Sequence, residues 1–346
     1  MPGARLPAVR VSVPATSANL GPGFDALGLA VDLRDELLVR VVGDGVPAGQ
    51  WVLASYAGVS VGEDNLVLRA MRATFAEVGW TPPELSARFV PRVPMSRGLG
   101  SSAAAICAGV TAALALAGGQ SALEGQSLAT TALPVAARLE GHPDNVAACL
   151  LGGLTIARTG ADHRVEAVRL EPAAELSAVA VIPVKPVSTS ASRGVLPAQV
   201  EHAAAARTAG RAALLVAALT SRPDQLLAAT EDWLHQPYRL PALRLSSAVL
   251  EAWRAAGIPA FLSGSGPTVL ALVRDVQEQS RATALAEETV AGAPNVADGS
   301  LGAHGMYQAS VVALALDRAG TRWDEPPPAR QEQPAARDDN VRSAAE

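Results

Sequence analysis

Apolar positions along the chain follow two rhythms. One alternates or runs unbroken over short stretches; the other returns every third or fourth residue. The first predicts strands at residues 9–13, 26–33 and 36–42, the last two as a pair, and again at 85–93, 165–170 and 177–183. Between the first two, ATSANLGPGFD reads as a turn-rich loop. The second rhythm predicts helices at 65–78, stopped by Gly79, at 101–117, ended by Gly118 and Gly119, and at 128–139. An apolar stretch follows EGHPDN and closes at Gly152 and Gly153. Helical spacing returns at 197–220, 223–233, 246–256 and 280–291. Residues 260–273 read as strand, loop and strand around SGSGPT, and 309–316 as a last strand. From Thr321 the chain is Pro-rich and charged with little to bury, which predicts a disordered tail over 321–346.

Strands cluster early and again late. That distribution predicts an α+β chain of two domains rather than one doubly wound sheet. The break falls between Gly153 and Glu171, giving domains of 1–165 and 166–320. A length of 346 residues is enough for two cores.

Composition narrows the function. Net charge is −5 and aromatic residues are scarce, so neither a basic field nor a base-stacking surface points to nucleic acid. The two cysteines, Cys107 and Cys149, lie in Ala/Leu stretches and read as small buried hydrophobes. The N-terminus has no apolar run of signal-peptide length. The longest uncharged apolar run, 103–117, is short for a bilayer and reads as a buried helix, so no membrane partner is expected and the expected location is cytoplasmic. The one lysine is Lys185. Its surroundings do not resemble a Walker A loop, and it comes too late to be the strand lysine of a protein kinase.

PMSRGLGSSAAA, residues 94–105, nevertheless reads as a phosphate-holding loop entering a helix. Gly98 and Gly100 allow a tight turn and close backbone approach. Ser101 and Ser102 open the helix, whose first N–H groups lack internal partners and carry the positive end of the macrodipole. A polyphosphate satisfies both without a lysine. GLGSSA and GSGPT do not make GxGxxG, which argues against a dinucleotide-binding dehydrogenase.

Three stretches, PATSANLGPGFDALGLA, PMSRGLGSSAAA and FLSGSGPTVLAL, occur in that order and together resemble the three motifs of the GHMP kinase superfamily. EGHPDNVA, STSASRGVLP and DWLHQPYR resemble segments of its homoserine kinase family. The resemblance implies an N-terminal domain like ribosomal protein S5 domain 2 and a ferredoxin-like C-terminal domain, with the active site between them. It implies phosphorylation of the L-homoserine hydroxyl by ATP with Mg²⁺, in threonine biosynthesis, by a homodimer. The middle motif would wrap the ATP phosphates, placing Pro94, Ser96, Arg97, Gly98, Leu99, Gly100, Ser101, Ser102 and Ala103 at the nucleotide.

Homoserine is a zwitterion with a terminal hydroxyl. Its carboxylate suits a guanidinium fork, for which Arg193 and Arg239 are the candidates. Its ammonium suits Asp25 and Asn19. The same resemblance carries His142, Asp144, Thr189 and Gly264 into the substrate site. Where mevalonate kinases and galactokinases place an aspartate base, this chain has Asn145, which cannot accept the hydroxyl proton. Asn145 is therefore assigned to orienting the reacting groups, Asp25 is taken as a catalytic residue beside it, and catalysis is assigned to positioning and charge stabilisation. For the metal, Ser102 matches the family's serine. Glu140 is the nearest carboxylate in sequence, while an ungapped match to more distant members falls on Pro134.

Overall fold

The computed structural model of the chain describes residues 6–43, 51–55, 64–118, 127–162, 164–187, 189–293 and 309–326. Among them the strands make two sheets, of seven and four strands. The first is built on β1 (Ala8–Asn19) and β2 (Gly23–Gly43), antiparallel over nearly their whole length. The later half of β2 pairs with β4 (Glu84–Val90), which carries β3 (Trp51–Ser55) in parallel at the edge. Its earlier half pairs with β5 (Leu154–Thr159), followed by β6 (Val165–Leu170). The second sheet has the order β10 (Ala309–Ala315), β7 (Ser177–Pro183), β9 (Val269–Val273), β8 (Ala260–Leu262), antiparallel throughout.

Helices α1 (Leu66–Glu77), α2 (Ser101–Gly118), α3 (Leu133–Glu140) and α4 (Asp144–Leu151) cover one face of the first sheet. Val9, Val11, Val13, Leu37 and Val39 meet Met71, Phe75, Ile106 and Val110 there. Helix α2 is apolar enough to cross a membrane by composition, but thirteen of its eighteen residues are buried in this core. In β7 the two-residue side-chain period serves two cores. Ala178, Ala180 and Ile182 face a cluster shared with Ala15, Leu27 and Leu29 of the first sheet and with α6 (His202–Thr220). Val179 and Val181 face α9 (Arg244–Ala255) and α10 (Val276–Gly292). The first of these clusters welds the two sheets together, so the loops at their junction hold a fixed geometry.

Several elements differ from the apolar pattern. β1 continues through Thr16, Ser17 and Asn19, expected as loop, because these buried polar groups find partners: Thr16 on α4, and Ser17 and Asn19 across the junction. β2 runs unbroken through the gap expected between residues 33 and 36. Arg34 pairs with buried Asp317, and Asp35 accepts the amides of Arg92 and Val93 at 2.5 and 2.7 Å. β5 carries no distinct apolar rhythm, and the apolar pattern predicts no strand there. The helix expected over 128–139 begins as a π-helical turn, Leu128–Ala132. Pro134 has no N–H for the regular ladder, and the turn widens. The helix expected at 223–233 is a short 3₁₀ turn and α7 (Leu226–Ala229), followed by an irregular stretch. The chain passes between sheets after Leu170, since β6 stays with the first sheet, rather than at 165. The expected tail also begins too early: β11 (Arg322–Asp324) returns to pair with β1, where Arg10 and Asp324 form an ion pair. Residues 327–346 lie outside the described residues.

Candidate active site

The loop of residues 91–100 lies between the sheets and is fixed from both sides. Asp35 holds its first amides. From the second sheet, the Thr268 amide donates to Arg97 O (3.2 Å) and the Ser263 hydroxyl to Gly98 O (2.6 Å). The Val187 amide donates to Ser96 O (3.1 Å), and the Thr16 amide to Leu99 O (3.0 Å). Both glycines are required by geometry as well as conformation. Gly98 has φ +77°, and a Cβ there would fall 2.3 Å from Ser263 O. Gly100 has φ +68°, and a Cβ would fall 2.0 Å from Thr16 Oγ1. A left-handed φ and contacts this short admit only glycine. The loop delivers the chain into α2, whose first turn contains no acidic residue. Its positive end is left for an anion.

One cleft is lined by this helix start and by residues from five other places: Asn19 and Asp25; Glu140, His142, Asp144 and Asn145; Arg193; Arg239; and Gly264. Ser96, Gly98, Gly100, Ser101 and Ser102 form the loop side. The others of the expected nucleotide group stand back. Leu99 and Ala103 are buried in the cores, and Pro94 is only partly exposed. Arg97 turns its guanidinium onto the carbonyls of Pro183, Met95 and Val184, so its charge ties the loop to the end of β7 and does not line the cleft.

Ser102 and Glu140 meet although their sequence spacing gave no reason to expect it. The Ser102 hydroxyl donates to Glu140 Oε1 at 2.6 Å. Burial pushes the Glu140 carboxyl above the usual range, with the Ser102 bond opposing it. A carboxylate and a hydroxyl, both hard oxygen donors, fit Mg²⁺ completed by phosphates and water. Pro134, at the start of α3, offers no side-chain donor. His142 Nδ1–H donates to Asp144 Oδ1 at 2.7 Å, and that bond raises the imidazole's hold on its proton. The same carboxylate oxygen accepts the Asn145 amide at 2.8 Å. The Thr16 hydroxyl donates to Asn145 Oδ1 at 2.8 Å, so the asparagine's NH₂ remains the group available to the cleft.

The opposite wall carries two guanidiniums in unlike states. Arg193, on α5 (Thr189–Gly194), is 42% exposed and makes a bidentate pair with Asp25, at 2.7 and 3.1 Å. Asp25 has φ +54°, a left-handed residue whose backbone N–H donates to Asn19 Oδ1 (3.0 Å). Arg239, at the end of α8 (Gln236–Arg239), is 3% exposed, and among the described residues no carboxylate pairs with it. Its N–H groups reach Ser192 O, Gly264 O and His235 Nδ1 instead. Burial, with the charge of Arg193 nearby, lowers its hold on its proton. Asn19 is committed on both sides of its amide, donating to Gly264 O at 2.9 Å and accepting from Asp25, so its role is to join the sheets at the cleft. Thr189 opens α5; its side chain lies outside the described residues.

Thr16, Phe24, Asp232 and His235 also support the site, although no expectation from the sequence assigns them to it. Phe24 lies 5.9 Å from the Arg193 guanidinium carbon and 5.4 Å from that of Arg239. The signals were present: Phe24 inside GPGFD, and His235 four residues before Arg239 in DWLHQPYR, one helical turn.

A family model for the GHMP kinase N-terminal domain matches residues 65–153, and one for the GHMP kinase C-terminal domain matches 212–289. Homoserine kinase of Streptomyces coelicolor is 49% identical over 290 residues, 82% of this chain and 90% of that protein. Homoserine kinase of Streptomyces avermitilis is 51% identical over 275 residues, 78% of this chain and 87% of that protein. The crystal structure of homoserine kinase from Cytophaga hutchinsonii superposes with a TM-score of 0.76 at 26% identity, covering 92% of this chain and 98% of that one.

Proposed function

This chain belongs to the homoserine kinase family of the GHMP kinases, and from that premise we propose that its cleft transfers the γ-phosphoryl group of ATP to the side-chain hydroxyl of L-homoserine. The products are O-phospho-L-homoserine and ADP, as threonine biosynthesis requires. The observation that carries the reading is a single cleft with an anion-seeking helix start on one wall and a buried, carboxylate-free guanidinium on the other. A triphosphate suits the first and an amino-acid carboxylate the second.

The α2 amides and the hydroxyls of Ser101 and Ser102 hold the phosphates. Ser102 and Glu140 would hold Mg²⁺, which supplies charge neutralisation of the transferring group. Arg239 and Arg193 take the substrate carboxylate, and Asp25 takes the ammonium. Arg193 then serves two anions, its own partner Asp25 and the substrate. His142, held by Asp144 in a pairing that favours its charged form, stands beside the phosphoryl group, and the Asn145 NH₂ orients the reacting oxygens. The hydroxyl oxygen forms the new P–O bond as the bond to ADP breaks. Asn145 cannot take the proton, so it leaves to phosphate or solvent. A cytoplasmic homodimer is part of the same proposal, and the family resemblance supports it.

Steady-state kinetics of the purified protein with ATP, Mg²⁺ and a panel of homoserine, mevalonate and galactose tests the proposal, with the product identified by phosphorus NMR. Homoserine is expected to be the preferred acceptor by orders of magnitude. Absence of phosphoryl transfer to homoserine overturns the reading.

A further inference from the structure

The Arg239 guanidinium is aimed by a residue that the chemistry above does not use. Of its five N–H groups, Nε donates to Ser192 O at 3.3 Å, and Nη1 donates to Gly264 O and to His235 Nδ1, each at 3.1 Å. Among the described residues Nη2 makes no hydrogen bond. His235 is fully buried, and its Nε2 lies 2.8 Å from Gly21 O. A carbonyl oxygen only accepts, so Nε2 carries the proton, and Nδ1 is the lone pair that Arg239 meets. The ring stacks on Phe24 with centroids 5.3 Å apart and planes 24° from parallel. The Arg239 guanidinium lies against the same phenyl ring. Asp232 Oδ2 accepts the backbone amides of His235 (3.0 Å) and Gln236 (2.8 Å), fixing the backbone from which the ring projects.

We propose that His235 is a positioning residue that sets the orientation of the Arg239 guanidinium, so that its two Nη2 N–H groups are presented as a fixed pair to the substrate's carboxylate. This rests on the reading of Arg239 given above. The site needs a flat group that donates through one atom to a carbonyl and accepts through another from an arginine. Neutral histidine meets that description. A second proton would turn Nδ1 into a donor facing a donor and set two cations 3.1 Å apart. The charged groups facing the ring are Asp232, whose Oδ2 is 3.5 Å from Nε2, and Arg239, with Asp25 across the cleft. Burial outweighs the carboxylates and lowers the ring's hold on a proton, in keeping with a neutral role. Protonation at acid pH should therefore weaken homoserine binding specifically.

The test compares wild type, His235→Leu and His235→Gln by kinetics, melting temperature and crystallography. Leu removes the acceptor at similar volume; Gln keeps one acceptor and one donor. His235→Leu should raise the homoserine KM about tenfold and leave the ATP KM within about twofold. It should not alter turnover of 3-aminopropan-1-ol, which lacks the carboxylate. His235→Gln should restore most of the homoserine KM and abolish its rise at acid pH. An unchanged homoserine KM in His235→Leu, or equal rises for both substrates, overturns the inference. If His235→Leu does not fold, an acid-side rise that persists in His235→Gln does the same. If wild type fails to phosphorylate homoserine, the proposed function falls, and the inference is judged by crystallography: an Arg239 fork unmoved in His235→Leu overturns it.

Discussion

The two walls of the cleft are made of different materials. The phosphate wall is backbone: two glycines in left-handed conformations, a helix start without acidic residues, and hydrogen bonds that fix the loop from both sheets. The substrate wall is side chain: an exposed guanidinium already paired with Asp25 and a buried one held by carbonyls, a histidine and the face of Phe24. A backbone wall tolerates no added volume, whereas a side-chain wall tolerates removal in proportion to how buried and how unneutralised each group is. In the proposed reading, that difference lets a chain with one lysine bind a triphosphate. Fixed amide dipoles replace the mobile ammonium and lose no side-chain entropy on binding.

Perturbing each wall in turn should separate them. The largest effect is expected from Gly100→Ala, where the added methyl collides with Thr16 and the left-handed φ is strained. Displacing the loop by even an ångström should lower kcat/KM for ATP about a hundredfold or more. An ATP efficiency near wild type would show that the backbone wall is softer than described. Next is Arg239→Ala, which removes charge-assisted bonds contributing roughly 1.5–3 kcal/mol, so the homoserine KM should rise roughly 10- to 150-fold with little change for ATP. Arg193→Ala, exposed and screened, should raise it only about two- to fivefold. Equal losses in the two arginine variants would erase the distinction between a buried and an exposed fork. Ser102→Ala should weaken Mg·ATP use about two- to tenfold, and calorimetry should show homoserine binding unchanged. The smallest effect concerns neither wall. Removing residues 327–346 should leave activity and melting temperature as they are, whereas cutting before Arg322 should lower the melting temperature by taking β11 from the sheet.

The same contrast governed what could be read from the residues alone. Gly98, Gly100, Ser101 and Ser102 announce their wall locally, because a tight turn before a helix has its own composition. The substrate wall is assembled from β1, β2, α5, α8 and the loop after β8, which are far apart in the chain, so Asp25, Arg193 and Arg239 were reachable only through family resemblance. His235 and Phe24 look like ordinary core residues in sequence, and only the packing shows whose orientation they set. Arg97 misled in the opposite direction: an arginine inside a phosphate loop invites a role at the phosphates, yet three carbonyls of the surrounding fold claim it. Polar strands were also hidden. Thr16, Ser17 and Asn19 break the apolar rhythm of β1 because their partners come from other elements. Asp35 and Arg34 do the same in β2, and a pattern based on hydrophobicity does not register satisfied buried polar groups.

The most direct test is a crystal structure of the protein with a nonhydrolysable ATP analogue, Mg²⁺ and L-homoserine. The account predicts the triphosphate on the amides that open α2, between Gly98 and Ser102, and the amino-acid carboxylate on the Nη2 edge of Arg239 with its ammonium at Asp25. A nucleotide bound elsewhere with that helix start vacant, or an amino acid whose carboxylate avoids Arg239, would contradict it.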